Sequence, residues 1–390
     1  MAKNIVICSD GTGNTFSQDV SNVTHLIHLL ELGHPSRQLV FYDQGLGTNP
    51  KLVARIKAYR HEPHAAREGL RLLREPGYGV RLSGRLGRLA ALTVGYGLRE
   101  NVKEMYQALA QSSAKGDHIF LFGFSRGAFT VRALAGLLYR CGLPRHHPAK
   151  FSRMFDKAYS LYKRHDPDPE KLQSFRTKHR VRDCRIHFLG IWDTVKSYGG
   201  MWPTSLPHLR HNPIVKTVRH ALALDEHRSW FIPTSWGGID SDKPMALGVE
   251  PDDRYASQDV QEVWFRGCHS DVGGGDQEVE TARIPLRWML SEAAAHHLVL
   301  NREGHNLLRD KDEAGVPVIH ESLTLPWRVA EYLPRFELDN SVRPPKRFFK
   351  CGRSGKRSPL AFKRAGTFLL HSSVRAAEHV EVKYVHTPTI

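Results

Sequence analysis

The sequence predicts an α/β fold in which helices flank a mostly parallel sheet, and three features of its 390 residues support this class. Short apolar runs of strand length recur along the chain, amphipathic stretches with helical spacing lie between them, and the two kinds of segment alternate. Continuous apolar runs are typical of parallel strands that are covered on both faces. Their alternation with helices predicts right-handed crossovers that return each strand to the same sheet.

In chain order, strands are predicted at residues 5–8, 39–42, 119–122, 186–191 and 263–265. Helices are predicted where apolar side chains recur at i, i+3 and i+4, which is the case at residues 20–30, 102–109, 129–138 and 286–298. The sheet and its helices therefore take up most of the chain.

Two segments interrupt the alternation of strands and helices, and a C-terminal segment follows it. Residues 1–325 are expected to form the main domain, with helical insertions at about 50–95 and 143–180 that emerge at the functional edge of the sheet. Residues 326–390 mix charge, proline and short apolar pieces. They predict a basic C-terminal extension that packs on the domain or flanks it.

The chain carries a formal net charge of +16, which favours anionic partners such as phospholipid surfaces or nucleic acid. Lysine and arginine concentrate in residues 55–88 and 343–364. The second segment contains Lys346, Arg347, Lys350, Arg353, Lys356 and Arg357. Two interpretations stay open: the segments are solvated and mobile, or they contact an anionic surface, for which a membrane is favoured over nucleic acid.

Composition argues against several other classes of protein. No apolar run reaches the roughly 18 residues of a membrane-spanning helix, and the N-terminus lacks the pattern of a signal peptide. We therefore expect a cytoplasmic protein, with signal-independent export as the alternative. The five cysteines are widely spaced without a C-x-x-C pair, which favours reduced, buried thiols.

The strongest chemical signal is the pentapeptide Gly123-Phe124-Ser125-Arg126-Gly127, which fits G-x-S-x-G. A predicted strand runs directly into it and a predicted helix runs directly out of it. This strand–turn–helix context is what a nucleophile elbow requires, and small residues at Gly123 and Gly127 let the strand and the helix pass closely. The pattern predicts that Ser125 is a nucleophile on an α/β-hydrolase-like sheet.

A serine nucleophile needs a base, and the base needs an acid that orients it. Asp193 and His269 each follow a predicted strand, and they occur in the order Ser, acid, His that this fold uses. His269 also precedes a glycine-rich turn. Asp271 is the main rival to Asp193 as the acid, and Asp225, in a helix-like setting that suggests an ion pair, is a weaker one.

An acyl-transfer intermediate also needs donors for its oxyanion. The backbone N–H of Arg126, directly after the nucleophile, predicts one donor. The loop after the first strand predicts the second, at Gly11 or Thr12, with Asp10 fixing that loop through hydrogen bonds. Asp271 is expected to support the cleft if it is not the acid.

Other interpretations of these motifs fit less well. A phosphatase of the haloacid-dehalogenase type would need an aspartate where Cys8 stands, and the glycines match neither a dinucleotide fingerprint nor a P-loop. A metal site built from Asp10, His269 and Asp271 is a further alternative. The favoured mechanism needs neither a metal nor an organic cofactor.

The motifs together resemble a known family. The matching stretches are Cys8-Ser-Asp-Gly-Thr-Gly-Asn14, Gly45-Leu-Gly-Thr48, Gly95-Tyr-Gly-Leu98, Gly116-Asp-His-Ile-Phe-Leu-Phe-Gly-Phe-Ser-Arg-Gly-Ala128, Trp192-Asp-Thr-Val195, Asp225-Glu-His-Arg228, Trp264-Phe-Arg-Gly-Cys-His-Ser-Asp-Val-Gly-Gly-Gly275 and Ile284-Pro-Leu-Arg-Trp-Met289. They resemble an α/β-hydrolase family defined only as a domain of unknown function and related to bacterial type VI secretion phospholipase effectors. The resemblance implies a serine esterase or lipase with phospholipids as the leading substrate class, and it implies catalytic roles for Ser125, Asp193 and His269.

The sequence thus predicts a serine hydrolase that cleaves a carboxylic ester through an acyl-enzyme, with lipid esters as the leading substrate class. A protein of a different class is the alternative: a non-catalytic basic module that binds anionic membrane or nucleic acid on the same scaffold.

Overall fold

The structure, a computed structural model, covers the core of the fold. It describes residues 2–11, 21–43, 70–72, 96–145, 150–195, 198–199, 202–203, 206–236, 258–275, 279–310, 319–332, 335–339, 346–350, 357, 368–371, 374 and 382–385. The predicted insertion at residues 50–95 lies outside the described residues except for residues 70–72.

The predicted sheet is present and is parallel throughout its described strands. These strands are β1 (Asn4–Ser9), β2 (Gln38–Asp43), β3 (Leu70–Leu72), β4 (His118–Phe124), β5 (Ile186–Trp192), β8 (Val215–Ala223), β9 (Asp259–Phe265), β12 (Phe368–His371) and β13 (Val382–Val385). They lie in the order β13-β12-β9-β8-β5-β4-β1-β2-β3. Two short antiparallel pairs stand apart from this sheet, formed by β6 (Tyr198–Gly199) with β7 (Trp202–Pro203) and by β10 (Arg335–Asp339) with β11 (Lys346–Lys350).

Helices flank the sheet, as predicted for this fold class. They are α1 (Asn22–Leu29), α2 (Tyr96–Ser112), α3 (Arg126–Cys141), α4 (Phe151–Lys163), α5 (Pro169–Lys178), α6 (His269–Gly273), α7 (Val279–Ala295), α8 (Arg302–Arg309) and α9 (Leu325–Ala330). Within the described ranges, no helix has both the length and the apolar character needed to cross a bilayer.

Two apolar cores cover the two faces of the sheet. Alternate residues of β1 show this, since Ile5 and Ile7 belong to one cluster of buried side chains, whereas Val6 and Cys8 belong to the other. The first cluster includes side chains of α2, α3 and α4, and the second includes side chains of α1, α7 and α8. Burial on both faces explains why the strands have continuous apolar sequences rather than alternating ones.

The hydrophobic pattern does not predict β8, although this strand lies near the middle of the sheet. Its sequence contains Arg219 and His220, both buried. Arg219 Nε donates to Glu292 Oε2 at 2.5 Å, and His220 Nδ1 lies 2.8 Å from Glu262 Oε1. Charged partners inside the fold therefore make a polar sequence acceptable in a buried strand, and such partners are not visible in a local sequence window.

The insertion at residues 143–180 forms α4 and α5, but it does not emerge at the functional edge of the sheet, so that prediction is wrong. Leu143 and Arg182 form an isolated bridge, with N–H···O distances of 2.9 and 3.0 Å. This bridge lies between the end of α3 and the start of β5. Because α3 runs back from the carboxyl end of β4, both ends of the insertion lie at the amino edge of the sheet.

The C-terminal extension contributes to the sheet itself. Strand β12 pairs in parallel with β9, where Leu369 lies opposite Val263 and Leu370 lies opposite Trp264. Strand β13 pairs in turn with β12. The extension therefore covers the edge of β9, the strand that leads to His269.

Candidate active site

The G-x-S-x-G pentapeptide forms a tight turn between β4 and α3. Ser125 has φ 55° and ψ −118°, a conformation that is strained for a residue with a side chain. Its N–H donates to the carbonyl of Trp192 at 3.1 Å, which anchors the turn to the end of β5. A Cβ on Gly123 would lie 2.7 Å from the backbone of Ala128. The predicted close passage of strand and helix is therefore observed.

Gly127 has the closest backbone neighbour in this turn, and we expect Gly127→Ala to destabilise the fold. A Cβ there would lie 2.1 Å from the carbonyl oxygen of Ser9, so α3 must move away from β1. The free energy of unfolding, measured by urea denaturation, should fall by about 3 kcal/mol. The matched control is Gly116→Ala, where φ is +98° but no atom lies within 4 Å of the added Cβ. It should lose only about 1 kcal/mol. Equal losses in the two variants would contradict the steric argument.

Three of the predicted side chains form one hydrogen-bonded chain. His269 Nε2 lies 2.8 Å from Ser125 Oγ, and His269 Nδ1 lies 2.6 Å from Asp193 Oδ2. All three residues are buried. Because an ionised carboxylate only accepts hydrogen bonds, Asp193 fixes the proton of the neutral imidazole on Nδ1 and leaves the lone pair of Nε2 for the serine hydroxyl.

Asp193 is held by more than the histidine. It directly follows β5 with φ 35°, and its Oδ1 accepts the N–H of Ala223 at 3.1 Å. The guanidinium of Arg357 binds both carboxylate oxygens, with Nη1–Oδ1 2.7 Å and Nη2–Oδ2 3.0 Å. Burial acts to raise the pKa of Asp193, but Arg357 and His269 outweigh it and hold that pKa well below the usual range. Asp193 is therefore ionised at neutral pH.

Burial lowers the pKa of His269, although hydrogen bonding and attraction to Asp193 act in the opposite direction. The ring packs against two aromatic side chains, with centroid distances of 4.6 Å to Phe124 and 4.9 Å to Phe231. A neutral imidazole is the form that can accept a proton, so this environment favours the form that a general base needs.

The two rival carboxylates have other partners. Asp271 Oδ2 accepts the N–H of Cys268 at 2.8 Å, and its Oδ1 lies 2.5 Å from His320 Nδ1. Asp225 pairs with Arg266 at 2.9 Å, which fits the predicted ion pair. It lies in a bend after β8 rather than in a helix. Geometry therefore brings Asp193, and neither rival, to the imidazole.

Gly11, in the first described part of the loop after β1, lies against the nucleophile. A Cβ on Gly11 would be 3.3 Å from the Cβ of Ser125. Asp10 fixes the loop as predicted: its carboxylate accepts hydrogen bonds from Gly11 N at 2.7 Å, Ser21 Oγ at 2.7 Å and Tyr42 Oη at 3.1 Å.

The Asp10 contacts decide between the two predicted loop donors. The N–H of Gly11 is already bound to Asp10 Oδ1, so the prediction that Gly11 supplies an oxyanion donor is wrong for this conformation. Thr12, the alternative, lies outside the described residues. Arg126 is the first residue of α3, and an amide at this position has no acceptor inside its own helix.

The alternative metal site is not assembled. His269 contacts Ser125 and Asp193 through its two ring nitrogens, whereas Asp10 and Asp271 accept hydrogen bonds from protein donors. In the part of the chain that the structure describes, no group of three or more His, Cys, Asp or Glu side chains is placed to hold a metal ion.

Glu226 supports the histidine from the backbone side, a role that the sequence does not predict. Its Oε2 accepts the N–H of His269 at 3.1 Å, and Arg228 binds both of its carboxylate oxygens. Burial opposes ionisation of Glu226, but the hydrogen bonds from Arg228 outweigh it and lower its pKa to about 2. Its place in the stretch Asp225-Glu-His-Arg228 is the only sequence signal for this role.

A family model matches most of the chain. A family model described as the T6SS, phospholipase effector Tle1-like, catalytic domain matches residues 3–292. The chain belongs to this family. The resemblance predicted from the motifs is thereby confirmed, and the Tle1-like match includes the β4–α3 turn, Asp193 and His269. It ends before the C-terminal extension.

Individual relatives of the Tle1-like chain are longer than it is. An uncharacterized protein of Saccharomyces cerevisiae is 30% identical over 241 residues, which cover 59% of this chain and 32% of the relative. Two solved structures are more distant. An uncharacterized protein from Pseudomonas aeruginosa is 21% identical with a TM-score of 0.39, over 77% of this chain and 46% of the other. The Tle1 effector bound to the VgrG spike from the type 6 secretion system is 19% identical with a TM-score of 0.34, over 71% and 52%. The chain thus spans between a third and about half of the length of these proteins.

Proposed function

We propose that this chain is a serine esterase that cleaves a carboxylic ester of a phospholipid through an acyl-enzyme on Ser125. The observation that carries the proposal is the buried hydrogen-bonded chain from Ser125 Oγ through His269 to Asp193. A strained serine at a strand–helix turn, with a neutral imidazole in contact with its hydroxyl, is the arrangement that activates a serine for attack.

The proposed reaction has two stages. In the first, Ser125 Oγ attacks the ester carbonyl carbon while its proton moves to His269 Nε2, and the imidazolium is stabilised by Asp193. The tetrahedral oxyanion accepts hydrogen bonds from the amide of Arg126 and from a second donor in the loop after β1. His269 then gives its proton to the leaving alkoxide. In the second stage, water loses a proton to His269, attacks the acyl carbon and restores the serine.

A lipid substrate is supported by the family and by an apolar surface beside the site. We call this surface the α9 face; it consists of Leu325, Val329 and Tyr332, which are 77%, 69% and 70% exposed. Leu325 and Val329 are four residues apart and so lie on one side of α9, and Tyr332 lies in the turn that follows the helix. Exposed apolar side chains grouped in this way mark interaction surfaces, and a lipid bilayer is the partner that the family suggests.

The α9 face is anchored to the wall of the active site. On the other side of the helix, the ring of Trp327 lies 5.4 Å from that of Phe231, which in turn contacts His269. Trp230 Nε1 donates to the carbonyl of Ala330 at 2.9 Å. A bilayer that covers the α9 face would therefore lie close to the reacting atoms, and we propose that this face docks on the lipid surface.

Removal of the three apolar side chains should slow the hydrolysis of phospholipid vesicles but not that of a soluble ester. We expect the variant Leu325→Ser, Val329→Ser, Tyr332→Ser to hydrolyse anionic phospholipid vesicles about tenfold more slowly, because it buries less apolar area at the membrane. Its rate on a soluble short-chain ester should stay within about twofold. The control variant carries Arg302→Ser, Glu303→Ser and Asn306→Ser on the exposed side of α8. Equal losses on vesicles and on the soluble ester would contradict membrane docking.

The proposed activity is tested on the wild-type chain with a fluorophosphonate probe and with vesicles of phosphatidylglycerol and phosphatidylcholine. Peptide mass spectrometry should find one adduct, on Ser125, and the vesicles should release fatty acid and lysophospholipid. A folded protein that takes up no probe at Ser125 would overturn the serine mechanism. Labelling with hydrolysis of soluble esters but not of phospholipids would overturn the lipid substrate.

A non-catalytic basic module is the second candidate, because the net charge of +16 also suits binding to an anionic surface. The same experiment separates the two functions. A binding module takes up no probe and releases no fatty acid, yet it binds anionic vesicles or nucleic acid with an affinity that falls steeply with salt.

A further inference from the structure

Arg357 occupies an unexpected place for a residue of a basic, charge-rich segment. Its side chain is only 6% exposed and makes two contacts with the fully buried carboxylate of Asp193. Nη1 also donates to the carbonyl of Ala223 at 2.8 Å, and Nη2 donates to the carbonyl of Phe231. The interpretation of this segment as solvated or as an anionic-surface contact is therefore wrong for Arg357.

We propose that Arg357 is a positioning residue of the active site, which fixes the carboxylate of Asp193 and thereby sets both the orientation and the basicity of His269. The proposal rests on the proposed esterase function. The positioning role adds to the active site a residue that lies beyond residue 292, where the family match ends.

The contacts explain how the orientation is fixed. Asp193 Oδ2 accepts from His269 Nδ1 and from Arg357 Nη2, and Oδ1 accepts from the amide of Ala223 and from Arg357 Nη1. A planar guanidinium that contacts both oxygens defines the plane of the carboxylate. The two backbone carbonyls hold the guanidinium in turn. Small misplacement of a catalytic group is costly, so a fixed carboxylate plane favours the productive position of the imidazole.

The positive charge of Arg357 also affects the basicity of His269. The polar and charged groups that act on His269 are Asp193 after β5, Glu226 and Arg228 after β8, and Ser125 at the elbow, whereas Asp271 on its own helix binds Cys268 and His320. Asp193 alone would strongly favour the imidazolium. Arg357 compensates the charge of Asp193 and so keeps the imidazole neutral to lower pH. Removal of the positive charge should therefore raise the pKa of His269.

The test compares Arg357→Gln and Arg357→Lys with the wild type and with Arg283→Gln. Arg283 pairs with Asp310 on an exposed surface, so this control removes a paired arginine that is not one of the partners of Asp193 or His269 described above. The measurements are the pH profile of kcat/KM on a soluble ester, the thermal unfolding temperature and the pKa of His269 from an NMR titration.

For Arg357→Gln we expect kcat/KM at its pH optimum to fall between about 10-fold and 100-fold. The acid limb of the profile and the NMR pKa of His269 should move upward by about one pH unit. Lysine keeps the charge but contacts one oxygen only. Arg357→Lys should therefore lose about threefold to tenfold in kcat/KM and keep the acid limb of the wild type. Arg283→Gln should behave as the wild type.

Every outcome of these measurements either supports or overturns the proposed role of Arg357. A wild-type profile in Arg357→Gln overturns the proposal, as does a loss of activity that follows the unfolding temperature with no shift of the acid limb. If Arg357→Gln does not fold, Arg357→Lys decides, because a wild-type kcat/KM in that variant overturns the role in orientation. If the wild type has no esterase activity, the proposed function fails. The NMR pKa then still tests the effect of Arg357 on His269.

Discussion

Alanine in place of Ser125 is expected to lower kcat for ester hydrolysis by about six orders of magnitude. The substitution removes the Oγ that we propose as the nucleophile, while the strained turn, the amide of Arg126 and the His269–Asp193 pair stay in place. The residual rate should reflect stabilisation of the oxyanion by backbone donors, with water as the nucleophile. The measurement is kcat on a soluble ester, together with labelling by the fluorophosphonate probe, which should be lost.

The matched control is Ser152→Ala, since Ser152 lies on α4 and its hydroxyl accepts a hydrogen bond from Lys103 Nζ at 3.0 Å. This variant should keep the activity and the labelling of the wild type. Retention of most of the activity by Ser125→Ala in a folded protein would show that another group is the nucleophile.

The second large effect is expected at Asp193. Asparagine has nearly the same shape, but its amide group donates to His269 Nδ1, so the proton of the ring moves to Nε2 and the imidazole cannot accept the serine proton. We expect kcat to fall about 10⁴-fold. Arg357 also loses its counter-charge, so the unfolding temperature should fall, and kcat is measured well below it.

Asp271→Asn provides the comparison that separates the two carboxylates. Asp271 accepts the amide of Cys268 and contacts His320, so its loss should loosen the turn and reduce kcat by no more than about tenfold. A larger loss of kcat in Asp271→Asn than in Asp193→Asn would show that Asp271, rather than Asp193, is the acid that orients His269.

Local sequence patterns predict the parts of this site that depend on short-range geometry. The elbow is one example, because the glycines that it needs lie next to the serine in the sequence. Asp193 and His269 are another, since each follows a strand whose apolar run can be read directly. The parallel sheet then brings the ends of β4, β5 and β9 together without further information.

The features that the sequence does not predict depend on partners far along the chain. Strand β8 has a polar sequence that is buried only because Glu262 and Glu292 meet its Arg219 and His220. Arg357 looks like one member of a solvated basic segment until Asp193, 164 residues earlier, is seen beside it. The orientation of the Gly11 amide is set by its hydrogen bond to Asp10, and a glycine motif alone does not reveal which way an amide points.

The position of β12 next to β9 has a consequence for how the chain is made. A ribosome delivers the strand before His269 first, and at about 5–20 residues per second the neighbour that covers its edge and the arginine beside Asp193 follow several seconds later. During that interval the nascent polypeptide already holds the serine, the aspartate and the histidine, but lacks the cation that compensates the aspartate. The proposed active site would thus be complete only after the ribosome has made the edge strand and the arginine, well after its three central residues.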